Sequence, residues 1–236
     1  MWYSGFMSKL FLLLPLVFTL LSCGVGAEPL KVAIIDTGLD INDNRFSGHI
    51  CSEGHKSFSG SLSDNEGHGT HVAGIIKQNA GNGNYCFLIY KFYNENFPDK
   101  QNVINEINAI EEAIKNGAKI INISGGGQTK DDKEKYLIEN NPDVIFVVAS
   151  GNDGIDLDIS RKKFYPASYF LPNEVVVGNL NPDGTVNKTS NYGSRVKFEI
   201  GTDVLSYFPN GRYGYLTGTS MATAVRTGKI IKAILK

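Results

Sequence analysis

The chain alternates between short apolar runs and longer stretches of mixed character. A nearly continuous apolar run of four to eight residues is typical of a strand covered on both faces of a sheet. Such runs predict strands at residues 30–35, 87–93, 119–123, 144–149, 174–177 and 196–200, and residues 51–58 can hold a further one. The pattern therefore indicates a protein built around one buried sheet.

Apolar residues recur every three or four positions between several of these runs, as they do along a helix with one buried face. One face of the predicted helix at 103–116 carries Ile104, Ile107, Ile110, Ala113 and Ile114. Similar segments predict helices over 70–78, 131–140 and 219–235. Strands that alternate with helices form parallel sheets, so we predict an α/β fold with a mostly parallel central sheet and helices on both faces.

Composition narrows the class of protein. The 236 residues are enough for one well-buried domain, and the shares of hydrophobic residues (42%) and charged residues (20%) are those of a soluble globular protein. A net charge of −1 argues against nucleic acid as a partner, because phosphate binding needs a clustered basic excess.

The first 22 residues have the character of a targeting segment. Residues 10–21 are almost entirely apolar but too few to span about 30 Å of hydrocarbon as a helix, so we interpret residues 1–22 as a signal peptide. The stretch Leu-Leu-Ser-Cys that ends at Cys23 resembles the cleavage box of bacterial lipoproteins, which predicts that Cys23 carries a lipid. Ordinary secretory cleavage near Ala27 and an uncleaved anchor remain open as alternatives.

The lipoprotein interpretation divides the rest of the chain into a tether at residues 23–29 and one domain at residues 30–236. It also leaves two cysteines, Cys51 and Cys86. In an oxidising compartment these two can form one disulfide, whereas two buried free thiols are the other interpretation.

Four polar residues occupy the places where an α/β sheet gathers its chemistry. Asp36 follows the first predicted strand, Asn152 follows the strand at 144–149, and His68 and Ser220 each open a predicted helix. In open α/β sheets ligands and catalytic groups collect at the carboxyl ends of the strands. We therefore expect these four residues to share one site.

The segments around these residues resemble the sequence signatures of the subtilase family. They read Asp36-Thr37-Gly38, His68-Gly69-Thr70-His71-Val72-Ala73-Gly74, Ser150-Gly151-Asn152 and Gly218-Thr219-Ser220-Met221-Ala222. All four occur in the family's order, and the resemblance covers roughly residues 30–232. It implies a subtilisin-like three-layer α/β fold and a serine endopeptidase that works through an acyl-enzyme, without a cofactor.

The resemblance also assigns roles. Ser220 would be the nucleophile, His68 its general base, and Asp36 the group that holds the imidazole tautomer. The Asn152 amide and the backbone N–H of Ser220 would face the developing oxyanion. His71, three residues after His68, lacks the His-Glu-x-x-His spacing of a zinc site, so we interpret it as structural.

Substrate contacts follow from the same resemblance. Ser124, Gly125 and Gly126 match the segment that pairs with the backbone of an extended peptide substrate. Phe164 stands where the family often has a small residue at the base of the specificity pocket. We therefore expect a shallow pocket that favours a small side chain immediately before the scissile bond.

Several features depart from the family. The turn Gly81–Asn84 offers few oxygen ligands, which argues against a strong calcium site, and we predict no metal. We expect little room for a folding propeptide and a short segment after Ser220.

These features predict an exported monomer with a peptide or protein substrate, located in the cell envelope as a lipoprotein or secreted, and touching a membrane only through an N-terminal lipid. The alternatives are a non-catalytic or weakly active envelope lipoprotein that binds peptides, and a processing peptidase dedicated to one partner protein.

Overall fold

A computed structural model describes residue 1 and residues 27–236. The predicted signal peptide and Cys23 lie outside the described residues.

The centre of the fold is a seven-stranded sheet in which every neighbouring pair is parallel. Its strand order is β2-β3-β1-β4-β5-β6-β7. The strands are β1 (Leu30–Asp36), β2 (Lys56–Ser57), β3 (Tyr85–Lys91), β4 (Ile120–Ile123), β5 (Ile145–Ala149), β6 (Glu174–Leu180) and β7 (Lys197–Ile200). The predicted parallel sheet is thereby confirmed, although the segment 51–58 contributes only the two residues of β2.

Helices cover both faces of the sheet. They are α1 (His68–Ala80), α2 (Asp99–Lys115), α3 (Asp132–Glu139) and α4 (Thr219–Ile234). Residues of α2 and α3 join one hydrophobic cluster and residues of α1 and α4 join the other, so the sheet separates two cores. This is the predicted three-layer architecture.

Strand β1 shows why its apolar run is continuous. Val32 and Ile34 lie in the α1–α4 core, whereas Ala33 and Ile35 lie in the α2–α3 core, and all four side chains are at most 1% exposed. Successive side chains point to opposite faces, and here both faces are buried, so every position must be apolar. The run ends at Asp36, where the strand reaches the edge of the sheet.

Close packing of α1 against α4 brings the first turns of both helices to the same edge of the sheet. Gly228 of α4 faces α1, where an added Cβ would lie 2.6 Å from the carbonyl oxygen of Ile76. Only glycine allows this approach of the two helices. His68 is the first residue of α1 and Ser220 the second of α4, so both open onto the edge where β1 and β4 end.

Three features differ from the sequence prediction. An antiparallel hairpin, β8 (Val204–Tyr207) with β9 (Tyr213–Leu216), was not predicted. Helix α2 begins at Asp99, directly after Pro98, rather than at residue 103. Ile104 is 41% exposed instead of sharing the buried face, because the helix turns Asn105 and Glu106 inward.

Candidate active site

Asp36 and His68 form a close pair at the carboxyl edge of the sheet. Asp36 ends β1 and is buried, and its Oδ1 lies 2.7 Å from Nδ1 of His68. The same oxygen accepts a hydrogen bond from the backbone N–H of Thr37 at 2.7 Å. A carboxylate held in this way fixes the imidazole with its proton on Nδ1 and leaves Nε2 free to accept another.

The charge around His68 favours the protonated imidazole. Burial lowers its pKa, but the carboxylates of Asp36, Asp64 and Glu66 more than offset that effect, so the pKa of His68 is raised above its ordinary value. The side chain keeps a third of its surface exposed. An imidazole that gains stability on protonation is suited to take a proton from a neighbouring hydroxyl.

Ser220 lies in the first turn of α4, where the helix dipole favours negative charge. Its Oγ donates a hydrogen bond of 2.7 Å to the carbonyl oxygen of Ser124. Within residues 27–236 no hydrogen bond joins Ser220 to His68. The structure thus brings both residues to one edge but engages the serine hydroxyl elsewhere, as is common in substrate-free sites.

Asn152 follows β5 and is oriented by the start of α4. Its Oδ1 accepts hydrogen bonds from the backbone N–H and the hydroxyl of Thr219 at 3.0 and 3.2 Å. The amide nitrogen is then turned away from Thr219, and it has no hydrogen-bond partner in the described part of the chain. A fixed amide donor next to Ser220 is the arrangement that oxyanion stabilisation requires.

Asp64 is a site residue that the sequence analysis missed. This buried carboxylate accepts hydrogen bonds from the Thr37 hydroxyl, the backbone N–H groups of Glu66, Gly67 and Thr70, and the Thr70 hydroxyl. It therefore joins the residue after Asp36 to the residue before His68. An aspartate in a polar loop carries no periodic signal, so only its spacing of four residues before His68 could have drawn attention to it.

A cleft of about 740 Å³ runs along this edge. Asp36 and His68 line it together with residues 124–129 and residues of α2. The ring of Phe164 packs between Gly126 and Gly151. A Cβ added to Gly126 would lie 2.7 Å from this ring, and one added to Gly151 would lie 2.8 Å from it. The aromatic ring thus fills the space between these two backbone segments.

The remaining predicted residues lie away from the cleft. Cys51 and Cys86 form a disulfide with a Cα–Cα distance of 4.9 Å. His71 is fully buried, and its Nε2 lies 3.1 Å from the carbonyl oxygen of Gly214.

Across residues 27–236, no cluster of three or more His, Cys, Asp or Glu side chains is placed to hold a metal ion. None of the helices in that range has the length and apolar character that crossing a membrane requires.

Comparison with known sequences decides the family. The sequence model described as the subtilase family matches residues 28–234, which is most of the chain. The chain belongs to the subtilase family. By class, therefore, it is a serine-type endopeptidase.

Similarity to individual proteases agrees with this family assignment. The chain is 34% identical to the major intracellular serine protease of Bacillus subtilis (strain 168), over 88% of this chain and 69% of that protein. It is 33% identical to the cell wall-associated protease of the same organism, over 81% of this chain but only 22% of that protein. Among solved structures, a lanthipeptide protease superimposes with a TM-score of 0.73 at 25% identity, covering 87% of this subtilase and 73% of that chain.

Proposed function

We propose that this subtilase hydrolyses peptide bonds with Asp36, His68 and Ser220 as its catalytic triad. The 2.7 Å contact between Asp36 and His68, at the edge where Ser220 opens α4, is the observation that carries the proposal. A serine hydroxyl is a weak nucleophile at neutral pH and needs an adjacent base. An imidazole already held by a buried carboxylate supplies that base.

The reaction then proceeds in two halves. Ser220 Oγ attacks the carbonyl carbon of the scissile bond while its proton passes to Nε2 of His68. The C–N bond breaks as His68 returns that proton to the leaving amine, and an ester to Ser220 remains. A water molecule, deprotonated by His68, hydrolyses the ester and restores the hydroxyl.

Two hydrogen-bond donors, the Asn152 amide and the backbone N–H of Ser220, stabilise the negative charge that develops on the carbonyl oxygen. Loss of one such donor lowers turnover by about 10²–10³-fold, a figure measured in a member of this family. The link from Asn152 to Thr219 supports this assignment, because it keeps the amide in place before substrate arrives. Ser220 itself must turn from the Ser124 carbonyl towards His68 when substrate binds.

Phe164 supports a preference for small side chains at the position immediately before the scissile bond. Its ring fills the space between Gly126 and Gly151, beside the segment Ser124–Gly126 that we assign to pairing with the substrate backbone. Little volume remains there for a large side chain. A peptide-library profile dominated by Phe or Tyr at that position would contradict this assignment.

Labelling of the active site tests the proposal directly. A fluorophosphonate probe should label the native protein at Ser220 and leave Ser220→Ala unlabelled, because only an activated serine reacts. Hydrolysis of a peptide library provides the second measurement. A folded native protein that is neither labelled nor active would instead indicate a peptide-binding protein that keeps the subtilase fold.

We further propose that the protein is exported as a monomer, with residues 1–22 as signal peptide, Cys23 lipidated, a tether at 23–29 and the peptidase domain at 30–236. The relatives named above include both a cell wall-associated and an intracellular protease, so location requires its own experiment. Mass spectrometry of the mature protein should find a lipid-modified Cys23 at the N-terminus. Loss of membrane association in Cys23→Ala supports the same conclusion, and an unmodified mature N-terminus near Ala27 contradicts it.

A further inference from the structure

Glu106 is a buried carboxyl group that the proposed mechanism does not use. It lies on α2, is 5% exposed and lines the cleft that contains Asp36 and His68. Its Oε1 is buried and has no hydrogen-bond partner among residues 27–236. Burying a carboxyl group without a partner is costly, and such a group in a cleft marks a candidate binding position.

The cleft that Glu106 lines is acidic. Asp99 and Glu66 line the same cleft, and its described lining contains neither lysine nor arginine. Burial, with the nearby charge of Glu134, holds the pKa of Glu106 well above its usual range. A cation entering the cleft would supply the missing partner and favour the ionised carboxylate.

We infer that the α2 end of the cleft binds a basic side chain of the substrate, with Glu106 as its carboxylate partner. This inference rests on the proposed function, because it concerns how the same cleft recognises a peptide. A buried carboxylate bonded to lysine or arginine forms a charge-assisted hydrogen bond, and with arginine the contact can be bidentate. A neutral side chain of the same shape lacks this interaction.

The residues on either side of the segment 124–126 limit which substrate side chains can face Glu106. An added Cβ on Gly125 would face Phe92, which lines the cleft, whereas one on Gly126 would face Phe164. A peptide extended along this segment presents its side chains alternately to the same two sides. If the side chain immediately before the scissile bond meets Phe164, the second and fourth side chains before it face the α2 side.

The fourth residue is the one that reaches Glu106. The second residue is only one position removed from the residue that carries the scissile carbonyl and therefore lies close to His68. The fourth lies about 7 Å farther along an extended peptide. The lining segment begins at Ser124, which accepts the hydrogen bond from Ser220, and runs to Thr129, three residues before α3. Helix α2 packs with α3 in the same core, so Glu106 lies towards the end of the cleft away from Ser220.

Paired peptides test the inference. Peptides would carry arginine or its neutral isostere citrulline at the second, third or fourth position before the scissile bond. Dissociation constants would be measured with Ser220→Ala, and kcat/KM with the native protein. We expect arginine at the fourth position to improve both by about 10- to 100-fold, the effect of one buried charge-assisted bond.

Glu106→Gln should reduce this preference to within about threefold, the residual of a neutral hydrogen bond. Glu111→Gln is the matched control, because it lies on the same helix with an exposed side chain paired to Lys133. It should retain the full preference. Thermal melting of each variant verifies folding, and the arginine–citrulline comparison in the native protein does not depend on any variant.

The outcomes separate this inference from the proposed function. Tight binding of the arginine peptide to Ser220→Ala without hydrolysis by the native protein would support the inference and contradict the peptidase proposal. Hydrolysis without an arginine preference, or with the preference at the third position, would overturn the inference alone. A preference that survives in Glu106→Gln would also overturn it.

Discussion

Replacing Asp64 with asparagine tests whether one carboxylate aligns the two halves of the triad. Oδ1 accepts hydrogen bonds from Thr37, Glu66 and Gly67, and Oδ2 accepts two from Thr70. An amide nitrogen in place of Oδ2 cannot accept the backbone N–H of Thr70, although it can donate to the Thr70 hydroxyl, so Asp64→Asn loses at least one hydrogen bond to a charged acceptor. At about 1.5–3 kcal/mol for such a bond, the free energy of unfolding should fall by about 1.5–3 kcal/mol.

Activity should fall as well, because Asp64 connects the residue after Asp36 with the residue before His68. A displacement of about 1 Å in a catalytic group can cost on the order of 10²-fold, so we expect kcat/KM to drop by about 10- to 100-fold. Denaturant unfolding gives the stability change, and peptide hydrolysis gives the kinetic one. Asp40→Asn is the control, since Asp40 is exposed and accepts one bond from Asn42.

The pH profile separates positioning of the triad from a general loss of structure. The charge of Asp64 contributes to the raised pKa of His68, so its removal lowers that pKa. Fluorophosphonate labelling requires neutral His68, and its rate rises as pH passes through that pKa. The acid limb should therefore move to lower pH in Asp64→Asn. An unmoved limb with kcat/KM within twofold of the native protein would refute the assignment.

Three further predictions concern other parts of the molecule. Phe164→Gly should open the pocket beside Gly126 and Gly151, so a peptide library should show new cleavage after large aromatic residues; an unchanged profile would mean that other residues limit the pocket. Burial raises the pKa of Glu174 from 4.5 to about 8, so its contribution to stability is complete below pH 4.5 and is lost as pH rises to 8. In urea unfolding the native protein should lose on the order of 3–5 kcal/mol more stability over this pH range than Glu174→Gln, and parallel curves for the two proteins would be evidence against this account. The double variant Cys51→Ser/Cys86→Ser opens a loop with a sequence separation of 35 residues and should lose about 3–4 kcal/mol of stability, whereas a loss below about 1 kcal/mol would show that the disulfide constrains the unfolded chain little.

Local sequence determined the order of elements and the identity of the proposed triad. The run that becomes β1 is apolar at every buried position because both faces of the strand are covered, and Asp36 comes where that run stops. His68 and Ser220 open helices, and helix starts were predicted within two residues at both places. These features depend on periodicity and short motifs, which a sequence carries without its fold.

Contacts between segments distant in sequence could be identified only from the tertiary structure. The sequence left open whether Cys51 and Cys86 bond, and a backbone bond from Cys51 to Phe87 in β3 brings the two cysteines together. In the hairpin β8–β9 the apolar positions are not the buried ones: Leu205, Tyr213 and Tyr215 are exposed, whereas Ser206 is buried. Its sequence therefore lacks the match between apolar and buried positions on which strand prediction depends.

Asp64 and Glu106 mark the limit of sequence reasoning most clearly. Periodicity assigns polar residues to solvent, yet both carboxyl groups are buried, one by bonds from four neighbouring residues and the other at the border of the cleft. Ile104 shows the converse, an apolar residue turned to solvent. The sequence by itself determined which groups carry the proposed chemistry, and only the tertiary structure decided which further charges surround them, because burial is a property of how separate elements pack.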